Sequence, residues 1–162
     1  MARGVHCGSG MSVAFPFIAG PKVDVLVVDD NPFMRAAVSR ILQRQRRQCV
    51  AVATIDEAKM TLLDHPPSLV LTDFCLGNRE TGVDLVRWIR AQPQLQHLAC
   101  GLMSGSDRAE IEDALRAAGL PAVPILPKPF GLSELEVFLA GLLAPPRNTN
   151  GAMFQSRHDM QK

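Results

Sequence analysis

Val23-Asp24-Val25-Leu26-Val27-Val28-Asp29-Asp30-Asn31-Pro32 is an apolar run, broken only by Asp24, that stops abruptly in two carboxylates and a proline. A run this short and continuous reads as a strand covered on both faces. Pro32 suits the first turn of a helix, where its missing N–H is no loss. Met34, Ala37, Val38, Ile41 and Leu42 then recur at helical spacing, which turns one face toward a core. The pattern repeats along the chain: Leu69 to Thr72 runs into Asp73, Leu98 to Met103 into Ser104, and Val123 to Pro127 into Lys128.

Helices fill the intervals. A short strand, Cys49 to Ala53, leads into Thr54-Ile55-Asp56-Glu57, whose spacing of hydroxyl and carboxylate can satisfy the first free N–H groups of a helix. Ala58, Leu62 and Leu63 are expected to form its buried side, and Pro66 and Pro67 stop it. After Asp73 a loop containing Gly77 and Asn78 precedes a helix from about Gly82 to Ala91. Another is expected from about Asp107 to Ala118, closed by Gly119 in the position a left-handed cap favours. The last, from about Ser133 to Leu143, opens on Ser133-Glu134-Leu135-Glu136, again with capping-box spacing.

Strict alternation of strand and helix calls for right-handed crossovers and a parallel sheet with helices on both faces. Pro124 and Pro127 cannot donate to a ladder, which places the fifth strand at an edge. The expected fold is α/β: a flavodoxin-like, doubly wound five-stranded parallel sheet of order 2-1-3-4-5 with five helices. In such a sheet the carboxyl ends of the strands gather along one rim, where ligands sit. Asp29, Asp30, Asp73, Ser104 and Lys128 should therefore meet in one place.

Composition narrows the function classes. With 162 residues and 47% hydrophobic content the chain suits one compact domain. Its formal net charge of +1 supplies no field that would draw it to nucleic acid or an anionic membrane. Arg44, Arg46 and Arg47 read as a solvated helix end whose cations suit the dipole. Cys7, Cys49, Cys75 and Cys100 form no C-x-x-C pair, which argues against a zinc site or disulfide framework and for a reducing cytoplasm. Cys49 and Cys100 are expected as small buried hydrophobes. No apolar stretch is long enough to cross a bilayer, and Pro16 interrupts the only early apolar patch, Phe15, Phe17 and Ile18, so a secretory signal is not expected. The expected organisation is an N-terminal tail or arm at 1–21, with Met11 as an alternative start, a domain at 22–144 and a disordered tail at 145–162.

The gathered groups suit phosphoryl transfer. Asp29, Asp30 and Asp73 make an all-oxygen, negative site of the kind hydrated Mg2+ prefers. With such an ion relieving the repulsion of phosphoryl oxygens, Asp73 could attack phosphorus. Lys128 offers a mobile point charge and Ser104 a hydroxyl donor, and little more is needed where positioning and charge stabilisation drive the reaction.

Leu26-Val27-Val28-Asp29-Asp30-Asn31-Pro32, Leu69-Val70-Leu71-Thr72-Asp73, Met103-Ser104-Gly105 and Lys128-Pro129-Phe130 resemble the signature blocks of response-regulator receiver domains in two-component signalling, of the single-domain chemotaxis-regulator kind. The resemblance covers about residues 22 to 143. It implies that Asp73 is the phosphoacceptor and that Mg2+ (or Mn2+) is held by Asp30 and Asp73, with Asp29 assisting and Cys75 lending its backbone carbonyl. Ser104 would be the switch hydroxyl, Lys128 the charge that contacts the phosphoryl group, and Lys128-Pro129 a cis bond.

Two departures stand out. The segment Phe74 to Gly82 lacks the proline that usually follows the position of Leu76, so the loop is expected to take its own path. Ile125 stands where relatives carry an aromatic whose rotamer reports phosphorylation, so coupling must run through Ser104, loop movement or the fourth helix. Cys75 and Ser106 occupy positions that tune phosphoryl lifetime, and neither is an evident base, which predicts a long-lived phosphoryl form.

By the same resemblance the phosphoryl donor is a sensor histidine kinase or histidine phosphotransfer protein. Since no effector domain is recognisable after Leu143, output is expected to pass to a downstream protein target through the face of the fourth helix, fifth strand and fifth helix, around Arg108, Glu112 and Arg116, Ile125 and the outward side of Ser133 to Leu143. The chain is expected to act as a monomer or homodimer. Two other classes remain: a pseudo-receiver serving as a binding scaffold, and an aspartate-nucleophile phosphatase. The latter needs an acid–base carboxylate two residues after its nucleophile, where Asp73 has Cys75 and Asp29 has Asn31.

Overall fold

A computed structural model of the chain describes residues 23–77 and 79–143. The strands are β1 (Val25–Val28), β2 (Cys49–Val52), β3 (Leu69–Asp73), β4 (Ala99–Ser104) and β5 (Ile125–Pro127). They alternate with α1 (Pro32–Arg44), α2 (Ile55–Asp64), α3 (Gly82–Ala91), α4 (Arg108–Ala117) and α5 (Leu132–Leu143). The sheet runs β2-β1-β3-β4-β5 with every pairing parallel, as the alternation and the edge prolines require. The expected tails at 1–21 and 145–162, and Asn78 of the loop, lie outside the described residues.

Period-two alternation splits the strands between two cores. Val25, Val27, Leu69, Leu71, Met103 and Leu126 meet Val38 and Leu42 of α1 and Leu135 and Leu139 of α5. Leu26, Val28, Val70, Cys100 and Leu102 meet α2, α3 and α4 through Ile55, Leu62, Val86, Ile89, Ile111 and Leu115. Each fully buried Leu or Ile side chain contributes about 2 kcal/mol by leaving water. The central strands β1 and β3 are buried throughout, and the edge strands β2 and β5 are not.

Helix ends follow local chemistry. Thr54 and Glu57 form the expected capping box at α2. Gly119 takes φ +69°, and Leu120 N–H reaches back to the Leu115 carbonyl to close α4. Thr81 and Asp84 form a second capping box, at α3, that the periodicity reading passed over.

Several expectations shift. α5 starts at Leu132, so Ser133 lies inside the helix and its expected capping role is lost; Glu134 instead accepts the Gly131 N–H at 2.7 Å. The fifth strand is trimmed to Ile125–Pro127, with Pro124 still lending its carbonyl to Leu102 N–H. Ala37 is exposed and Leu63 is 57% exposed, because each lies one residue, about 100° of helix, from the buried Val38 and Leu62. Cys100 is buried but Cys49, on an edge strand, is only half-buried.

Candidate functional site

β1 and β3 are neighbours in register, Val28 opposite Thr72, so Asp29 and Asp73 emerge side by side at one rim of the sheet. Carboxylate oxygens of Asp29, Asp30 and Asp73 all lie within 4.8 Å of one another. Asp29 is fully buried and held at both oxygens: Oδ1 accepts the Asn31 N–H at 2.8 Å and Oδ2 accepts Lys128 Nζ at 3.0 Å. Asp73 is nearly buried, and its Oδ2 lies 2.9 Å from the same ammonium. Asp30 is exposed, and its carboxylate takes no hydrogen bond among the described residues.

Lys128 reaches the cluster from the end of β5. Its N–H donates to the Ser104 carbonyl at 2.6 Å, tying the ends of β4 and β5 together, and the Lys128–Pro129 bond is cis, as the resemblance implied. Ser104 is buried at the same rim. Its Oγ accepts the Ser106 N–H at 2.9 Å, which leaves the hydroxyl proton free to donate elsewhere. The structure thus brings Asp29, Asp73 and Lys128 into direct contact, and sets Ser104 on the next strand without a bond to them.

The loop after Asp73 folds back on itself. Leu76 N–H donates to the Glu80 carbonyl and Gly82 N–H to that of Phe74, so the Cys75–Thr81 bridge is a pair that exchanges no bonds of its own. In such a pair the backbone groups turn outward, which points the Cys75 carbonyl away from Thr81. The fold-back returns Gly82 so close to β3 that a Cβ there would sit 2.3 Å from the Asp73 carbonyl oxygen.

Burial pushes the Asp73 carboxyl above the usual carboxylate range; the hydrogen bond and charge of Lys128 pull it down, and the Asp29 charge pushes it up again. Burial alone would lower Lys128, but hydrogen bonds and charge from Asp73 and Asp29 outweigh it and hold the ammonium above its ordinary value. The site is therefore a dense negative cluster neutralised in part by one cation. Three carboxylates, one of them open to water, form a hard, all-oxygen donor set that fits a hydrated divalent ion.

Arg35 escaped the sequence reading. Its Nη1 donates to the Asp29 carbonyl at 2.7 Å and to the Asp30 carbonyl at 3.0 Å. The available signal was a cation in the opening of a helix, against the dipole.

On the far side of β5, Arg108, Glu112, Leu115, Arg116, Leu120, Ala122, Val123 and Ile125 line a groove of about 300 Å³ between α4 and the last strand. These include the residues expected on the output face. No helix among the described residues is long and apolar enough to cross a membrane.

Residues 25–140 match the family model of the response regulator receiver domain. The two-component response regulator ORR12 of Oryza sativa subsp. japonica is 33% identical over 87 residues, covering 53% of this chain and 71% of that one. The transcriptional regulatory protein KdpE of Mycobacterium tuberculosis (strain CDC 1551 / Oshkosh) is 30% identical over 128 residues, covering 79% of this chain; the chain spans only 53% of KdpE. The crystal structure of a response regulator receiver protein from Pseudomonas putida superposes with a TM-score of 0.64 at 30% identity, covering 75% of this chain and 98% of that one. With the strand order and the acidic rim already in place, the chain belongs to the response regulator receiver domain family.

Proposed function

We propose that the chain is a phosphorylation-dependent signalling module, spanning residues 22–144, that accepts a phosphoryl group on Asp73 from a histidine kinase or histidine phosphotransfer protein in the cytoplasm. The observation that carries this reading is Lys128, bonded at once to Asp29 and Asp73 inside the acidic cluster.

Asp30 and Asp73, with Asp29 and the Cys75 carbonyl, would hold Mg2+ or Mn2+. When bound, the ion supplies charge neutralisation for phosphoryl oxygens. An Asp73 carboxylate oxygen forms the new P–O bond as the P–N bond to the donor imidazole breaks, and the bond pair returns to that imidazole nitrogen. Lys128 exchanges its Asp73 contact for a phosphoryl oxygen. Ser104, whose proton is uncommitted, donates to another. The change at Ser104 and Lys128 biases the α4–β5–α5 face, which a protein target reads.

A constitutive scaffold is the second reading, favoured by Ile125 at the rim of an open groove where an aromatic would report the switch. Phosphatase turnover has little support: Asn31 Oδ1 is occupied in capping α1, bonded to the N–H groups of Phe33 at 2.9 Å and Met34 at 3.3 Å.

Treatment with acetyl phosphate or phosphoramidate and Mg2+ should add the mass of one phosphoryl group to the peptide containing Asp73. Omission of Mg2+ or the Asp73→Asn substitution should abolish the gain. An unlabelled wild-type chain would leave the scaffold reading.

A further inference from the structure

The carboxylate best placed to meet a metal is the one least restrained. Asp29 is tied at both oxygens and Asp73 is bonded to Lys128, whereas the Asp30 carboxylate takes no hydrogen bond among the described residues. With no such partner, its place at the cluster depends on where the backbone holds its Cα. That backbone is gripped by Arg35, whose single Nη1 bridges the carbonyls of Asp29 and Asp30.

The placement of Arg35 is itself informative. It is the fourth residue of α1, a helix with no acidic residue in its first turn, and a cation there opposes the helix dipole. The two carbonyls it bonds compensate.

We infer that Arg35 is a positioning residue for the cation site: by clamping the Asp29 and Asp30 carbonyls it fixes the peptide from which the Asp30 carboxylate projects. The inference rests on the proposed function. It differs from a plain charge effect in sign. Removing a cation near a metal site should tighten divalent binding through reduced repulsion, whereas releasing the clamp should weaken it through lost preorganisation.

Calorimetric titration of Mg2+ into the full chain, at neutral pH and physiological ionic strength, separates the two. Arg35→Met should weaken Mg2+ binding about tenfold, the scale found when groups that orient metal ligands are removed. Arg35→Lys, which keeps a donor, should restore most of the affinity, and the thermal midpoint in EDTA should move little. Unchanged or tighter binding in Arg35→Met overturns the inference. A wild-type chain that takes up no Mg2+ would instead overturn the phosphoacceptor reading beneath it, so the two failures are told apart.

Discussion

The two ends of β5 are built on different principles. At its carboxyl end Lys128 is drawn into a buried network in which Asp29, Asp73 and the Ser104 carbonyl each have a fixed partner. At its start Ile125 borders an open groove whose arginines pair along the surface of α4, Arg108 with Glu112 at 3.7 Å and Arg116 with Asp113. Interactions at the first end are expensive to break because burial removes water as a substitute partner. Those at the second are solvated and interchangeable. Contacts at the acidic end are thus specified residue by residue, and those along the groove are not.

The sharpest way to break this contrast is Lys128→Met. It strands Asp29, which is fully buried, and Asp73 without their cation. Loss of one partner from a buried charge cluster costs about 3–5 kcal/mol, to be read from urea unfolding in EDTA. Excess Mg2+ should recover much of the loss, since ligand at a hundredfold its dissociation constant adds about 2.7 kcal/mol. A variant as stable as wild type would mean the network is no more consequential than the α4 surface.

Gly82→Ala tests the fold-back loop. The added Cβ would meet the Asp73 carbonyl at 2.3 Å and side-chain atoms of Leu102 and Thr72 at 2.8 and 2.9 Å. Overpacking of this kind costs about 1–3 kcal/mol, and displacement of Asp73 should slow acetyl-phosphate labelling. Gly105→Ala, where nothing lies within 4 Å of the added atom, should do neither.

The acidic end was legible because it is written into strand ends: an apolar run stopping in Asp, Ser or Lys places that residue on the rim whatever the helices do. Capping at Thr54 and the turn at Gly119 were equally local. What escaped depends on neighbours distant along the chain or on single-residue phase. Leu63 and Ala37 are each one residue away from the buried stripe, a difference that apolar character alone cannot mark. The start of α5 turned on Glu134 choosing the Gly131 N–H over a Ser133 cap. The Arg35 clamp and the path of the Cys75 loop became visible only in three dimensions.

A pH series sharpens the contrast further. Folding raises the Asp73 pKa above 3.8, so the folded chain holds that proton more tightly than the unfolded one. The group therefore subtracts stability as pH rises from 3.8 through the folded value. In EDTA at neutral pH Asp73→Asn should be more stable than wild type, and the advantage should fade as pH falls through that window. Lys128 has the same sign in a more alkaline window: its contribution is full below 10.5 and is lost as pH rises through its raised folded value. Mg2+ should reverse the ranking of Asp73→Asn and wild type, because the variant gives up one of the three charged ligands and binds the ion more weakly. Melting curves across pH, with and without Mg2+, check both signs.

The smallest effect is expected at the groove, and its smallness is the point. Arg108 and Glu112 are more than half and nearly half exposed, spaced i,i+4 on one face of α4. Exposed pairs of this spacing contribute about 0.3–0.5 kcal/mol. A double-mutant cycle of Arg108→Ala and Glu112→Ala should return a coupling no larger than this, with the rate of Asp73 labelling unchanged in every member. Binding of a downstream protein, by contrast, should respond to either substitution, since rim charges govern association even where they contribute nothing to folding. A coupling of several kcal/mol, or altered labelling, would show that this end of β5 is wired into the acidic site as tightly as Lys128 is, and that the division between chemistry and readout does not hold.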